Sequence, residues 1–143
     1  MSETAVKYFT VDEANATLPY VRRIVEDILA DYDCWRDCIQ RYEILAGGVT
    51  SENGETEEQL ALREEVDQYA QRINDFINEL SGVGCVFKGF EGGLVDFRSR
   101  FGDREVQLCW KLGEPEVAFW HEVDAGFAGR QPLRHQPVTE ETE

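Results

Sequence analysis

The sequence predicts an α+β fold in which a long antiparallel helical hairpin is followed by a four-stranded antiparallel sheet, in two layers. Apolar residues recur at steps of three and four through the first half of the chain, as in amphipathic helices. After Ser81 and Gly82 the apolar repeat changes to two, and glycines separate short apolar segments, as in hairpin-connected strands. Helices that cover one face of the sheet would bury both apolar surfaces.

The first helix begins with a capping box at Thr10–Glu13, in which side chain and backbone at the two ends can exchange hydrogen bonds. Because proline removes a backbone donor, Pro19 predicts a break or kink near Leu18. Gly47–Gly48 predicts the end of this helix. Its apolar stripe continues beyond the proline through Val21, Ile24, Val25, Ile28, Tyr32, Trp35, Ile39 and Tyr42.

The second helix is predicted over residues 57–80, after a polar loop at 49–56. A short connection between two long helices favours an antiparallel hairpin, and a charged amphipathic pair of this kind is also a common dimer surface. The apolar stripe of this helix comprises Leu62, Val66, Tyr69, Ile73, Phe76, Ile77 and Leu80.

Four strands are predicted in the second half of the chain, joined by turns that contain glycine. Their short lengths and tight connections indicate an antiparallel meander. The predicted strands are Cys85–Lys88, Leu94–Arg98, Glu105–Lys111 and Val117–His121.

The length of 143 residues suits one domain, which we place at residues 1–133, followed by an acidic flexible tail at 134–143. The net charge of −15 argues against nucleic acid and against an anionic membrane surface, because both are bound mainly through Lys and Arg. The first residues lack the basic and apolar regions of a signal peptide, so we expect a cytoplasmic protein with reduced thiols.

The run from Cys109 to Arg130 concentrates the side chains that could form a site. His121 has three interpretations: a structural histidine, a metal ligand, or a general acid/base paired with a carboxylate. The metal interpretation calls for Zn, Fe or Mn, with the Cys109 thiolate as a further candidate ligand. The proposed metal ligands are His121, Glu114, Glu122 and Asp124.

Strand alternation divides these side chains between two faces. His121 shares a face with Val117 and Phe119, whereas Trp120 and Glu122 point to the other face. If Val117 and Phe119 face the helices, His121 lies at the edge of the core. A joint site would then require the chain to reverse after the strand, which the glycines that follow permit.

Arg130, Trp110 and Asp96 are candidates for binding a small ligand. The Arg130 guanidinium could hold a carboxylate or phosphate, or form an internal ion pair with Glu114, Asp124 or Asp96. Trp110 is either a ring platform or a core residue. Asp96 interrupts an apolar strand, as an exposed residue or as the buried partner of an arginine or histidine.

Three segments resemble a family of prokaryotic proteins, domain of unknown function family 2203. They are Tyr8–Asn15 with Leu18–Pro19, Gly93–Phe97, and the run from Cys109 through Arg130 to Leu133. The resemblance implies a small stand-alone intracellular protein, with no catalytic residues to carry over.

Two functions from different classes follow from these patterns. One is binding of a metal ion or small ligand near His121. The other is an interaction module, in which the helical hairpin or a sheet face forms a homodimer or binds a protein partner. Neither nucleophile motifs nor phosphate-binding loops are present in the sequence to indicate a reaction, so whether the chain is an enzyme is left open.

Overall fold

The computed structural model describes residues 7–47 and 54–133 as two long helices followed by an antiparallel sheet in which the strands lie in chain order. The predicted α+β class and helical hairpin are confirmed, and a short fifth strand extends the four predicted ones. The elements are α1 (Val11–Gly47), α2 (Glu57–Val83), β1 (Cys85–Gly89), β2 (Leu94–Phe101), β3 (Arg104–Lys111), β4 (Phe119–Glu122), a 3-10 turn (Phe127–Gly129) and β5 (Gln131–Pro132).

The capping box at the start of α1 forms as predicted. The Glu13 backbone N–H donates to the Thr10 hydroxyl at 3.0 Å, and the Thr10 N–H donates to the Glu13 carboxylate at 2.9 Å. Of the break or kink predicted near Leu18, the break does not occur, because α1 continues through Pro19 to Gly47. Pro19 points to solvent while the residues on the opposite side of the helix are buried in the core, and this packing offsets the lost backbone hydrogen bond.

The two helices run antiparallel and are tied together by polar contacts along their length. Near one end, the Tyr20 hydroxyl donates to Glu79. Further along, the Arg72 guanidinium donates two hydrogen bonds to Asp31, whose side chain is nearly buried. The sequence separation of the partners shrinks toward the connection, which is the signature of a hairpin.

Strand register assigns the two faces of the sheet. Asp96 lies opposite Cys109 across β2 and β3, and Cys109 lies opposite Phe119 across β3 and β4. These side chains therefore share one face, which we call the outer face. The other face packs against the helices and contributes Val95, Phe97, Val106, Leu108, Trp110 and Trp120 to the core.

The condition that Val117 and Phe119 both face the helices is not met, because Phe119 lies on the outer face. β4 begins at Phe119, two residues later than predicted, so the alternation does not extend back to Val117. Val117 still reaches the core from the preceding turn, while Trp120 takes the position against the helices because it offers the larger apolar surface. His121 accordingly points to the outer face.

The covering segment, Val123–Arg130, leads from β4 to β5. It turns at Gly126, which has a positive φ of 67°, and continues into the 3-10 turn. β5 then pairs with the edge of β4, opposite Phe119 and Trp120. Within the two described ranges, no helix is long and apolar enough to cross a membrane.

Candidate metal centre

Three side chains from three neighbouring strands converge on the outer face of the sheet. Asp96 and Cys109 are direct cross-strand neighbours, and His121 lies two residues along β4 from Phe119, the cross-strand partner of Cys109. The potential ligand atoms of Asp96, Cys109 and His121 all lie within 4.8 Å of one another. We refer to these three residues as the triad.

The triad is buried although it points away from the helices. The residues Asp96, Cys109 and His121 are exposed by only 6%, 1% and 2%. Burial of a carboxylate, a thiol and an imidazole costs free energy unless they find hydrogen bonds, protons or a metal ion to satisfy them. The arrangement therefore needs a partner for each polar atom.

The hydrogen bonds of His121 define the state of its ring. Nδ1 lies 2.7 Å from the carbonyl oxygen of Glu122, so Nδ1 must carry the hydrogen and donate it. Nε2 lies 3.2 Å from Oδ1 of Asp96, and a carboxylate oxygen is also an acceptor. A neutral ring would therefore present a lone pair to the carboxylate, and a proton or a metal ion is required between them.

The same two contacts match the surroundings of a metal-binding histidine. Such a residue donates its second ring N–H to a carbonyl or carboxylate, which leaves the other nitrogen free for the metal. Nitrogen and oxygen ligands about 2.1 Å from zinc in a tetrahedral arrangement are separated by about 3.4 Å. The separation of 3.2 Å between Nε2 and Asp96 is close to this value.

The Cys109 thiol lies in an environment that holds its proton when no cation is present. Burial raises its pKa to about 11, the Asp96 carboxylate adds to the rise, and the Arg130 guanidinium opposes it. A bound divalent cation reverses this balance, since metals coordinate thiols in the deprotonated form.

Glu114 and Arg130 pair with each other instead of joining the triad. Arg130 donates hydrogen bonds of 2.7 and 2.9 Å to the two carboxylate oxygens of Glu114, and one of 3.1 Å to the carbonyl of Cys109. The internal ion pair considered for Arg130 is thus present. Burial is the largest single influence and lowers the pKa of Arg130, but the hydrogen bond to Glu114 and the other interactions with Glu114 and Cys109 together exceed it, so the pKa is raised.

The other proposed ligands also lie apart from the triad. The side chain of Glu122 points to the opposite face and forms an ion pair with Arg104 at 3.4 Å. Asp124 is exposed in the covering segment. Trp110 is fully buried against the helices, where its indole N–H donates to the carbonyl of Glu114. His135 and the predicted tail lie outside the described residues.

A cleft of about 670 Å³ lies elsewhere, between the start of α1 and the edge formed by β4 and β5. Its lining includes Asn15, Val117 and Leu133, but none of the triad. The triad does not line this cleft, and its three ligand atoms lie within 4.8 Å of one another, a spacing that suits a single ion.

Comparison with known protein families identifies the family to which this chain is related. Residues 7–133 match the family described as "Uncharacterized conserved protein (DUF2203)". The chain belongs to the DUF2203 family. Searches of curated proteins and of solved structures gave no match.

For this DUF2203 chain, the sequence pointed to His121 but paired it with Glu114, Glu122 and Asp124 as the proposed ligands. The structure places Asp96 and Cys109 beside it instead. The sequence allows Asp96 to be a buried partner of an arginine or histidine, and Cys109 to be a further metal ligand. The signal that joins them is the two-residue turn at Gly102–Asp103: counting back from the pair Phe101 and Arg104 sets Asp96 opposite Cys109. The longer connection before β4 carries no comparable signal for His121.

Proposed function

We propose that this protein binds a divalent metal ion through Asp96, Cys109 and His121, and that the ion is Zn²⁺. The observation that supports the proposal is the pair of acceptors facing the His121 ring, which calls for a proton or a cation beside Nε2. The geometric match of the nitrogen–oxygen separation to a zinc site adds to it.

Charge supports a divalent cation in particular. Deprotonated Cys109 and Asp96 contribute two negative charges, so a divalent ion bound with a neutral His121 makes a neutral buried group. Neutrality lowers the cost of burial, which is large for an unbalanced charge. Thiolate and imidazole ligands favour zinc or iron(II) over manganese, which prefers oxygen ligands.

Three protein ligands leave one position of a tetrahedral ion for water or another small ligand. An open position is characteristic of catalytic zinc sites, whereas structural zinc sites usually have four protein ligands. Metal binding is the function proposed here, and the fourth ligand determines whether chemistry accompanies it.

The test is the metal content of untagged protein, measured by elemental analysis after zinc loading and desalting. We expect about one zinc per chain, lost in His121→Ala, Cys109→Ser and Asp96→Asn. The matched controls are His135→Ala and Cys85→Ser, which remove the same residue types elsewhere and should retain zinc.

Two further variants separate the triad from the ligands first proposed. Glu122→Gln and Asp124→Asn should bind zinc like the unaltered protein. Cobalt(II) in place of zinc should give a thiolate charge-transfer absorption that disappears in Cys109→Ser. Absence of zinc from correctly folded protein across several loading conditions would refute the proposal.

A further inference from the structure

We infer that Arg130 and Glu114 form a latch that controls access from solvent to the triad and thereby sets the rate of metal exchange. The inference rests on the proposed metal site for its functional meaning. Its structural part, control of access to Cys109, is measurable in metal-free protein.

Access to the triad is possible only from the outer face. On the inner face, the alternate residues of β2, β3 and β4 are packed into the core between the sheet and the helices. On the outer face, no helix of the described ranges packs against the sheet, yet Cys109 and His121 are almost inaccessible. Arg130 of the covering segment reaches the carbonyl of Cys109 and lies over the Phe119 ring beside it, so this segment contributes to the shield.

The Arg130 side chain joins the covering segment to the sheet. Its guanidinium lies between two rings, 4.0 Å from the centroid of Phe119 in β4 and 4.8 Å from that of Phe127 in the covering segment. It also hydrogen bonds to Glu114 and to the carbonyl of Cys109. One side chain thus connects the segment, the turn before β4 and the backbone of a triad residue.

Glu114 is itself held in place to receive Arg130. One of its carboxylate oxygens accepts the backbone N–H of Lys111 at 2.9 Å, at the end of β3. Because this contact fixes the carboxylate, the two hydrogen bonds from Arg130 have a rigid acceptor. Paired charge-assisted bonds of this type are stronger and more directional than single neutral ones.

Apart from the Lys111 ammonium, which lies 5.7 Å from the centroid of the Phe127 ring, the remaining contacts of the covering segment are local or exposed. Its described backbone hydrogen bonds from Ala125, Gly129 and Arg130 reach only three residues back along the chain. Val123 and Phe127 leave about half of their surface exposed, at 53% and 45%. Loss of the Arg130 contacts should therefore let the segment open without unfolding the sheet.

The experiment compares the rate at which N-ethylmaleimide labels Cys109 in metal-free protein, resolved by mass spectrometry of peptides. Arg130→Gln and Glu114→Gln should each raise the rate at least about tenfold, since each removes a charge-assisted bidentate contact. Rates are compared per thiolate, from their dependence on pH, because Arg130 lowers and Glu114 raises the pKa of Cys109. Labelling of Cys85, an equally buried thiol on the inner face, should stay unchanged and reports any global unfolding.

The matched control is Arg104→Gln, which removes an ion pair with Glu122 on the opposite face of the sheet. It should leave Cys109 labelling at the rate of the unaltered protein. Equal Cys109 rates in Arg130→Gln and the unaltered protein would overturn the latch, whether or not zinc binds. A parallel rise for Cys85 would also overturn it, because opening would then be global.

Zinc release separates the latch from the metal proposal. With zinc bound, transfer to an excess of a chelating dye should be at least about tenfold faster in Arg130→Gln than in Arg104→Gln. If labelling rises but no zinc binds to any variant, the latch holds and the metal proposal fails. If zinc binds but is released at equal rates, control of exchange by the latch is refuted.

Discussion

The imidazole of His121 stands between two oxygen acceptors, a backbone carbonyl and the Asp96 carboxylate. One acceptor is satisfied by the ring's own N–H, and the second needs a positive species. This requirement distinguishes His121 from a core histidine that donates one bond and accepts another. It also explains why the neighbouring thiol matters, since Cys109 adds a third donor atom to the same small space.

Sequence alternation predicted correctly that Trp120 and Glu122 point away from His121, but it could not identify which face the helices cover. That choice depends on which of two alternating sets packs against the helices, and each set contains an aromatic ring, Phe119 in one and Trp120 in the other. Glu114 was misplaced for a related reason. Its carboxylate is used by a turn amide and by Arg130, and both contacts depend on how the chain folds back.

A second buried thiol, Cys85, provides a prediction about pH. Burial raises its pKa to about 12, so the folded protein retains a proton that the unfolded chain loses near pH 9. The contribution of the protonated Cys85 thiol to the free energy of unfolding is therefore fully present below pH 9 and is lost as the pH rises toward 12. Between pH 8 and pH 10 the free energy of unfolding should fall by about 1.4 kcal/mol more than in Cys85→Ala.

Urea unfolding at several pH values measures this difference. Cys34→Ala, which removes an exposed thiol, should follow the unaltered protein. An identical pH dependence in Cys85→Ala and the unaltered protein would contradict the assignment of the effect to this thiol.

Among the elements, α1 shows most clearly how packing overrides a local signal. Its capping box and apolar stripe were readable in the sequence, and both are present. Pro19 signalled an interruption that does not occur. Proline costs a helix a few kcal/mol, and burial of the apolar stripe on both sides of Pro19 contributes a larger favourable free energy. The amphipathic period was the more reliable signal, since it reflects the larger free energy.

Replacement of Pro19 should consequently raise the free energy of unfolding. Proline in a helix interior costs about 3 kcal/mol relative to alanine, of which up to about 1 kcal/mol is offset by its stiffening of the unfolded chain. Pro19→Ala should therefore raise the free energy of unfolding by about 2 kcal/mol, measured by thermal or urea denaturation.

Pro115→Ala serves as the comparison, because Pro115 lies in a turn where only the unfolded-chain effect applies. That variant should be slightly less stable than the unaltered protein. If Pro19→Ala is also destabilised, α1 does not run unbroken through this position in solution.

For the molecule as a whole, the close approach of the turn before β2 to α1 fixes how the two layers meet. Gly93 is buried there with a φ of +68°, and an added Cβ would come within 2.7 Å of a Val25 methyl and 3.1 Å of Leu112. The segment containing Gly93 also carries part of the resemblance to the DUF2203 family. Association through the helical hairpin and a cytoplasmic location stay predictions.

Gly93→Ala should lower the free energy of unfolding by about 2–4 kcal/mol, through backbone strain and forced separation of the layers. Gly102→Ala is the matched control, since Gly102 has nearly the same φ of +65° but no atom within 4 Å of the added methyl. It should cost only about 1–2 kcal/mol. Equal losses in the two variants would show that layer contact contributes nothing.

The triad contains one residue from each of three successive strands, so it forms only when all three strands pair in the correct register. A slip of one residue in the pairing of β4 would turn His121 toward the helices and present Trp120 in its place. Only the correctly registered sheet then brings all three side chains together, so the proposed ion would select that register by mass action. At a free concentration of 100 times its dissociation constant, it would favour the native arrangement by about 2.7 kcal/mol.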